Sequence, residues 1–137
     1  MVTRWIILVL VAGLLTGLSL PAGAKPILLE KNDQGAWYVL DRVFEKAGDC
    51  RVVATVFVRR QPLPMDIGQV KAVTRVLRVC CKAETYRFTS SRFVGPDGRV
   101  IYSHQVPASQ SRAIVADPGS VLYRVIKKVC APGFGED

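Results

Sequence analysis

Val121, Leu122, Val125, Ile126 and Val129 recur near the C-terminal end at helical spacing, so their side chains share one face of a helix. Arg124, Lys127 and Lys128 fall off that stripe, late in the segment, where positive charge suits the helix dipole. Asp117 followed by Pro118 predicts the helix start, with Asp117 as N-cap and Pro118 at the first helical position. Pro132 and Gly133 predict the stop.

Upstream the pattern is that of strands. "AWYVLD", Ala36 to Asp41, is aromatic and β-branched and follows a turn-like "NDQG". "AGD" then breaks the pattern. "CRVVATVFVRR", Cys50 to Arg60, is rich in valine and apolar at positions of both parities, which predicts a strand covered on both faces. "QPLPMDIG", with Pro62, Pro64 and Gly68, predicts a strand end and a loop. "VKAVTRVLRVCC", Val70 to Cys81, predicts the next strand, with a helical start as the alternative. Glu84 to Val94 and Arg99 to Val106 predict two more, joined by the turn "GPDG". A helix with one apolar stripe buries it against the available sheet. The expected fold is α+β: an antiparallel sheet of about five or six strands with one C-terminal helix packed across it, stapled by disulfides.

The N-terminal stretch is of another kind. Arg4 precedes an apolar run from Trp5 to Leu20, closed by Pro21 and the small-residue triplet Ala22-Gly23-Ala24. This predicts a signal peptide over residues 1–24, cleaved after Ala24, and a single domain over 25–137. The run is short for a membrane span. No cysteine follows it to carry a lipid, so the expectation is an exported chain with no membrane span after cleavage, in the periplasm or at the surface of a Gram-negative bacterium. Without Arg4 the chain carries 18 Lys and Arg against 11 Asp and Glu, a net of +7. A basic balance favours an acidic partner, such as lipopolysaccharide, a sulfated glycan, nucleic acid or an acidic protein. The basic residues stand singly or in pairs, as at Arg59-Arg60 and Lys127-Lys128, with no dense run of the sort found in nucleic-acid arms.

All four cysteines, Cys50, Cys80, Cys81 and Cys130, lie in the expected mature chain. An even count in a small exported domain predicts a disulfide framework. A hairpin folded about a loop centred near Met65 places opposite residues at numbers summing to about 130, so Cys50 faces Cys80. Cys81 then points to the other face, with Val53, Phe57, Leu77 and Val79, towards the helix that ends at Cys130. The pairing that follows is Cys50–Cys80 and Cys81–Cys130, and a one-residue slip of register exchanges the partners. A redox role for the vicinal cysteines has neither a C-x-x-C motif nor a βαβ context to support it.

Catalytic signals are absent from the sequence. His104 is the only histidine, so no histidine pair can hold a metal, and no cofactor is implied. No G-x-S-x-G, P-loop or dinucleotide motif is present. Asp33, Asp41, Asp49, Asp66, Glu84 and Asp97 fall at predicted turns and strand ends, where turn chemistry accounts for them. "TYRFTSSRF" sets Arg87 and Arg92 near aromatic residues, the one hint of the aromatic and cationic interleaving that RNA stacking needs, and export weighs against a nucleic-acid role.

Four segments together resemble the bacterial surface-adhesin E family: "WYVLD", "CKAETYRF", "GPDGRVIYS" and "DPGSVLYRVIKKVC". In that family the cysteine before the lysine bonds to the cysteine ending the C-terminal helix, which matches Cys81 and Cys130. The pair Cys50 and Cys80 departs from the family's two-cysteine pattern. The resemblance implies an antiparallel sheet with a helix across it, binding to host extracellular-matrix proteins such as laminin and vitronectin, and a homodimer. The expected function is that of an exported, non-enzymatic domain that binds a protein or an acidic glycan, with no nucleic-acid role. Arg124, Lys127 and Lys128 are the candidate binding residues. The alternative is a periplasmic envelope factor that binds a bacterial protein or an envelope component.

Overall fold

The structure is a computed structural model that describes residues 24–136. The predicted leader lies outside the described residues except for Ala24. The described chain forms one antiparallel sheet and one helix. In chain order the strands are β1 (Pro26–Lys31), β2 (Gly35–Leu40), β3 (Glu45–Ala47), β4 (Cys50–Met65), β5 (Gly68–Cys80), β6 (Thr85–Val94), β7 (Val100–Gln105) and β8 (Ile114–Val115), followed by helix α1 (Val121–Val129). The sheet runs β1-β2-β4-β5-β6-β7, while β3 pairs with the start of β4 and β8 with the start of β6.

The sheet thus has eight strands, where five or six were expected. The additions are β1, β3 and β8. The last two have three and two residues, all exposed, and carry no apolar alternation to be read. They are strands because β4 and β6 offer them unpaired backbone groups.

The loop expected over "QPLPMDIG" is also mostly strand. β4 runs on to Met65 and β5 begins at Gly68, leaving only Asp66 and Ile67 between them. Proline is tolerated because the β2 ladder on β4 stops at Gly35–Arg59. Beyond it β4 is an edge, where a missing N–H breaks no ladder. The pairing sum of 130 holds from Cys50–Cys80 to Val58–Ala72. Past an irregularity the pairs are Leu63–Val70 to Met65–Gly68. The residues 59–62 of β4 therefore bulge opposite Lys71 alone, and this bulge reconciles the displaced turn with the expected cysteine register. The alternative helical start of β5 is not seen.

Strand alternation divides the side chains between two faces. On one face Val39, Val53, Leu77 and Val79 are buried beneath Val125, Ile126 and Val129 of α1. On the opposite face Leu40, Ala54, Val56, Val58, Ala72 and Val94 form a second cluster that also includes Ala24. The valine run of β4 supplies both clusters, so it shows no clean alternation of apolar and polar residues.

The helix starts later than Asp117 predicts. Ser120 is the N-cap, extended in backbone and accepting from the Tyr123 N–H through Oγ at 3.2 Å. Asp117 instead closes a preceding turn, with Oδ1 accepting from Gly119 N at 3.2 Å and its carbonyl accepting from Ser120 Oγ at 2.7 Å. Pro118 therefore belongs to this turn rather than to the first helical position. A serine that caps the helix and bonds back to the turn outcompetes an aspartate three residues upstream.

Candidate functional site

The site is built around α1 and the sheet face beneath it. Cys50 and Cys80 are directly opposite in the β4–β5 ladder and are bonded to each other. Cys81, the first residue after β5, is bonded to Cys130 at the C-cap of α1. No cysteine is free. One bond thus lies within the sheet, and the other ties the sheet to the helix.

The helix end has a second tether. Arg51, on the α1 side of β4, donates from a terminal guanidinium nitrogen to the Val129 carbonyl at 2.5 Å. The last carbonyls of a helix lack partners, and a cation there also suits the helix dipole. Arg51 was not among the candidate residues. Its contact joins positions 78 apart, so no local pattern announces it.

The three candidate cations lie on the exposed side of α1 but differ in their surroundings. Arg124 reaches Glu30 of β1, with NH1 3.2 Å from Oε1, and its side chain is 55% exposed. Lys127 Nζ stands 2.9 Å from Oε2 of Glu84, in the β5–β6 turn, and 5.0 Å from the centre of the Tyr123 ring. The Lys127 ammonium, as hydrogen-bond donor and then as charge, holds the Glu84 carboxyl below its ordinary value, and Glu84 and the Tyr123 hydroxyl raise Lys127. Lys128 is exposed and has no ion-pair partner among the described residues. Two ion pairs, one to each side of the sheet, therefore hold the helix in place in addition to the disulfide.

A depression of about 320 Å³ opens between the N-terminal half of α1 and the sheet. Its walls include Trp37, Phe57, Val73, Phe88 and Leu122, with Arg75 at hand. Trp37 and Phe57 stack at 4.1 Å between ring centres. The Arg75 guanidinium lies 5.1 Å from the centre of the Phe88 ring. The sequence drew attention to Arg87 and Arg92 beside these aromatics. Pairing of Arg78 with Arg87 and of Val79 with Tyr86 sends Arg87 to the face opposite Tyr86 and Phe88, so Arg75 from the neighbouring strand takes the place over the ring.

Three of the other acidic residues serve the fold. Asp49 Oδ2 accepts from Lys82 N at 2.6 Å, Asp41 Oδ1 from Lys25 N at 2.7 Å and Asp97 Oδ1 from Arg99 N at 3.1 Å. His104 is exposed on β7. Among the described residues no group of three or more His, Cys, Asp or Glu is arranged to hold a metal ion, and no helix is long and apolar enough to cross a membrane.

An antiparallel sheet with one C-terminal helix disulfide-bonded across it decides the comparison with known structures. The chain has the fold of Haemophilus influenzae protein E. One structure of that protein superposes with a TM-score of 0.57 at 14% identity, covering 86% of this chain and 90% of that one. A second crystal form gives 0.58 at 15% identity over 85% and 93%. Protein E from non-typeable Haemophilus influenzae gives 0.55 at 10% identity over 82% and 81%. The resemblance drawn from the four sequence segments thus holds for the fold. No protein-family model matches the chain, and no curated protein matches it in sequence.

Proposed function

We propose that this chain is an exported, non-enzymatic binding domain that presents the outer face of α1 to a protein partner. The observation that carries this reading is the triple fixation of the helix. Cys81–Cys130, Arg124–Glu30 and Lys127–Glu84 hold it at three points on the sheet, so its solvent face is preorganised. A surface ordered in advance loses little conformational entropy when it binds. The two disulfides support an oxidising, extracytoplasmic location. The likeness to protein E supports the fold, and the surface-adhesin resemblance of the four sequence segments motivates host extracellular-matrix proteins as the partner class and a homodimer as the assembly. Lys128, free of any ion pair among the described residues, is the first contact residue, flanked by Arg124 and Lys127.

The test has two arms. Intact cells are labelled with an antibody, beside a periplasmic marker, and the purified domain is titrated onto immobilised laminin and vitronectin. The reading requires labelling of intact cells and binding that Lys128→Glu weakens about tenfold. Labelling only after permeabilisation of the outer membrane would favour the alternative, a periplasmic envelope factor. Unchanged binding by the Arg124→Glu, Lys127→Glu, Lys128→Glu triple variant would remove the helix face from the site.

A further inference from the structure

The bulge in β4 does more than reset the register. It gathers positive charge from three strands around one open depression of about 720 Å³, at the end of the sheet marked by the β1–β2 turn. Lys31 ends β1, Arg59 and Arg60 lie in the bulge, and Lys71 is the β5 residue opposite it. All four line the depression, with Asp33 as the one acidic residue. The arrangement is held by backbone contacts. Arg60 N donates to Gln34 O at 2.8 Å, Lys71 Nζ donates to Arg60 O at 2.9 Å, and Arg59 Nε donates to Gln61 O at 3.2 Å.

None of these four cations has an ion-pair partner among the described residues. The carboxylates that could neutralise them are committed elsewhere: Glu30 to Arg124, Glu45 to Arg78, Glu84 to Lys127, Asp97 to Arg99. Like charges brought together repel, so four cations against one acid cost stability unless an anion joins them. The floor is of another chemistry, formed by Ala36, Tyr38 and Val58.

We infer that this depression binds a linear polysaccharide bearing closely spaced sulfate groups. A sulfated sugar matches both parts of the surface. Its oxyanions suit the Arg and Lys rim, where guanidinium groups can bind two oxygens at once, and the C–H faces of its rings suit the Tyr38 and Val58 floor. A nucleic acid would need exposed aromatic rings on which to stack its bases, and Tyr38 is the only aromatic residue lining the depression and is half-buried. The inference is independent of the helix-face reading, since no residue is shared between the two surfaces.

The experiment uses the chain from Lys25 onward and a heparin octasaccharide, with its desulfated counterpart and a single-stranded oligonucleotide of equal charge as comparators. The variants are Lys31→Glu and Arg60→Glu, singly and together, because both side chains are exposed and neither forms an ion pair among the described residues. Arg112→Glu, an exposed residue away from the depression, makes the same change in net charge as either single variant. Unchanged thermal unfolding confirms that each variant is folded. The expected result is tighter binding of the octasaccharide than of either comparator. Each single variant should lose at least threefold in affinity and the double variant at least tenfold with a shallower dependence on salt, while Arg112→Glu should lose less than twofold. Equal losses in Arg112→Glu and the two single variants, or binding no tighter than to the oligonucleotide, would overturn the inference. So would failure of the octasaccharide to bind at all.

Discussion

Glu84 and Lys127 meet at 2.9 Å across the gap between the β5–β6 turn and the helix. Glu84 holds this position with a backbone φ of 53°, and its carbonyl accepts from Ala116 N at 3.0 Å, next to β8. One residue thus joins the turn, the last short strand and α1. The pair has a defined pH dependence. Glu84 is lowered from 4.5 by Lys127, so its contribution is present above the ordinary carboxylate value and is lost as pH falls through the lowered one. Lys127 is raised from 10.5, so its contribution is complete below that value and is lost as pH rises through the raised one. The stability difference between wild type and Glu84→Gln should therefore be flat across neutral pH and shrink at both extremes. Because both groups are exposed, it should also shrink in 1 M salt. Thermal unfolding as a function of pH and salt checks this.

The two disulfides should differ in what they protect. In the chain-entropy account each is worth about 4 kcal/mol, because both close long loops. Replacing Cys81 and Cys130 by Ala should free the helix, so that the amides of Val125, Ile126 and Val129 exchange faster than those of Val53 to Val56. Replacing Cys50 and Cys80 should leave the helix as protected as the sheet, because the β4–β5 ladder continues as far as Val58–Ala72. Hydrogen exchange resolved by residue distinguishes these outcomes, and equal loosening in both variants would contradict the separation of roles.

Ser120 and Asp117 give a test of where the helix begins. Ser120→Ala should cost about 1 kcal/mol, the usual worth of an N-cap. Asp117→Ala removes a turn contact to Gly119 and should cost less. Denaturant unfolding of the two variants settles the order. The reverse ranking would return the cap to Asp117.

Gly35 and Gly48 separate contact strain from backbone strain. A Cβ on Gly35 would stand 2.2 Å from the Val58 carbonyl oxygen and 2.8 Å from the Phe57 ring. Gly35→Ala should therefore push β2 from β4 and cost about 3 kcal/mol or more. At Gly48, with φ of 60°, a Cβ meets nothing within 4 Å. Gly48→Ala should cost only the left-handed backbone term, about 1 kcal/mol. Chemical denaturation of each variant gives the comparison.

Lys25 and Asp41 connect the expected leader cleavage to the fold. Lys25 N lies 2.7 Å from Asp41 Oδ1, and Asp41 N donates back to Lys25 O at 2.9 Å. Cleavage after Ala24 turns that nitrogen into an α-ammonium, and the contact becomes a charge-assisted one. Asp41→Asn should then lower the melting temperature of a chain beginning at Lys25 more than that of a chain with extra residues before it. Intact-mass measurement of the exported protein checks the cleavage position itself.

Local pattern determined a good part of this protein. Valine-rich runs and turn residues marked the long strands, because strand formation follows short-range propensity and punctuation. The stripe from Val121 to Val129 marked the helix for the same reason. The pairing sum set Cys50 against Cys80 and left Cys81 for the helix, but it did so from a turn centre that the structure displaces, and the bulge of residues 59–62 is what restores that register. What local pattern could not supply was anything that depends on a distant neighbour. β3 and β8 exist because β4 and β6 have edges to pair with. The prolines of β4 sit within a strand because the β2–β4 ladder stops at Gly35–Arg59 and leaves them an open side. Arg51 caps a helix 78 positions away, and Arg75 displaces Arg87 from the Phe88 ring through the register of two strands. The same holds for the surfaces. Arg124 and Lys127 were visible as helix cations, but their carboxylate partners came from β1 and the β5–β6 turn. The pair Arg59-Arg60 was visible as two adjacent charges. Only the tertiary fold brought Lys31 and Lys71 beside it, because electrostatic fields add in space and not along the chain.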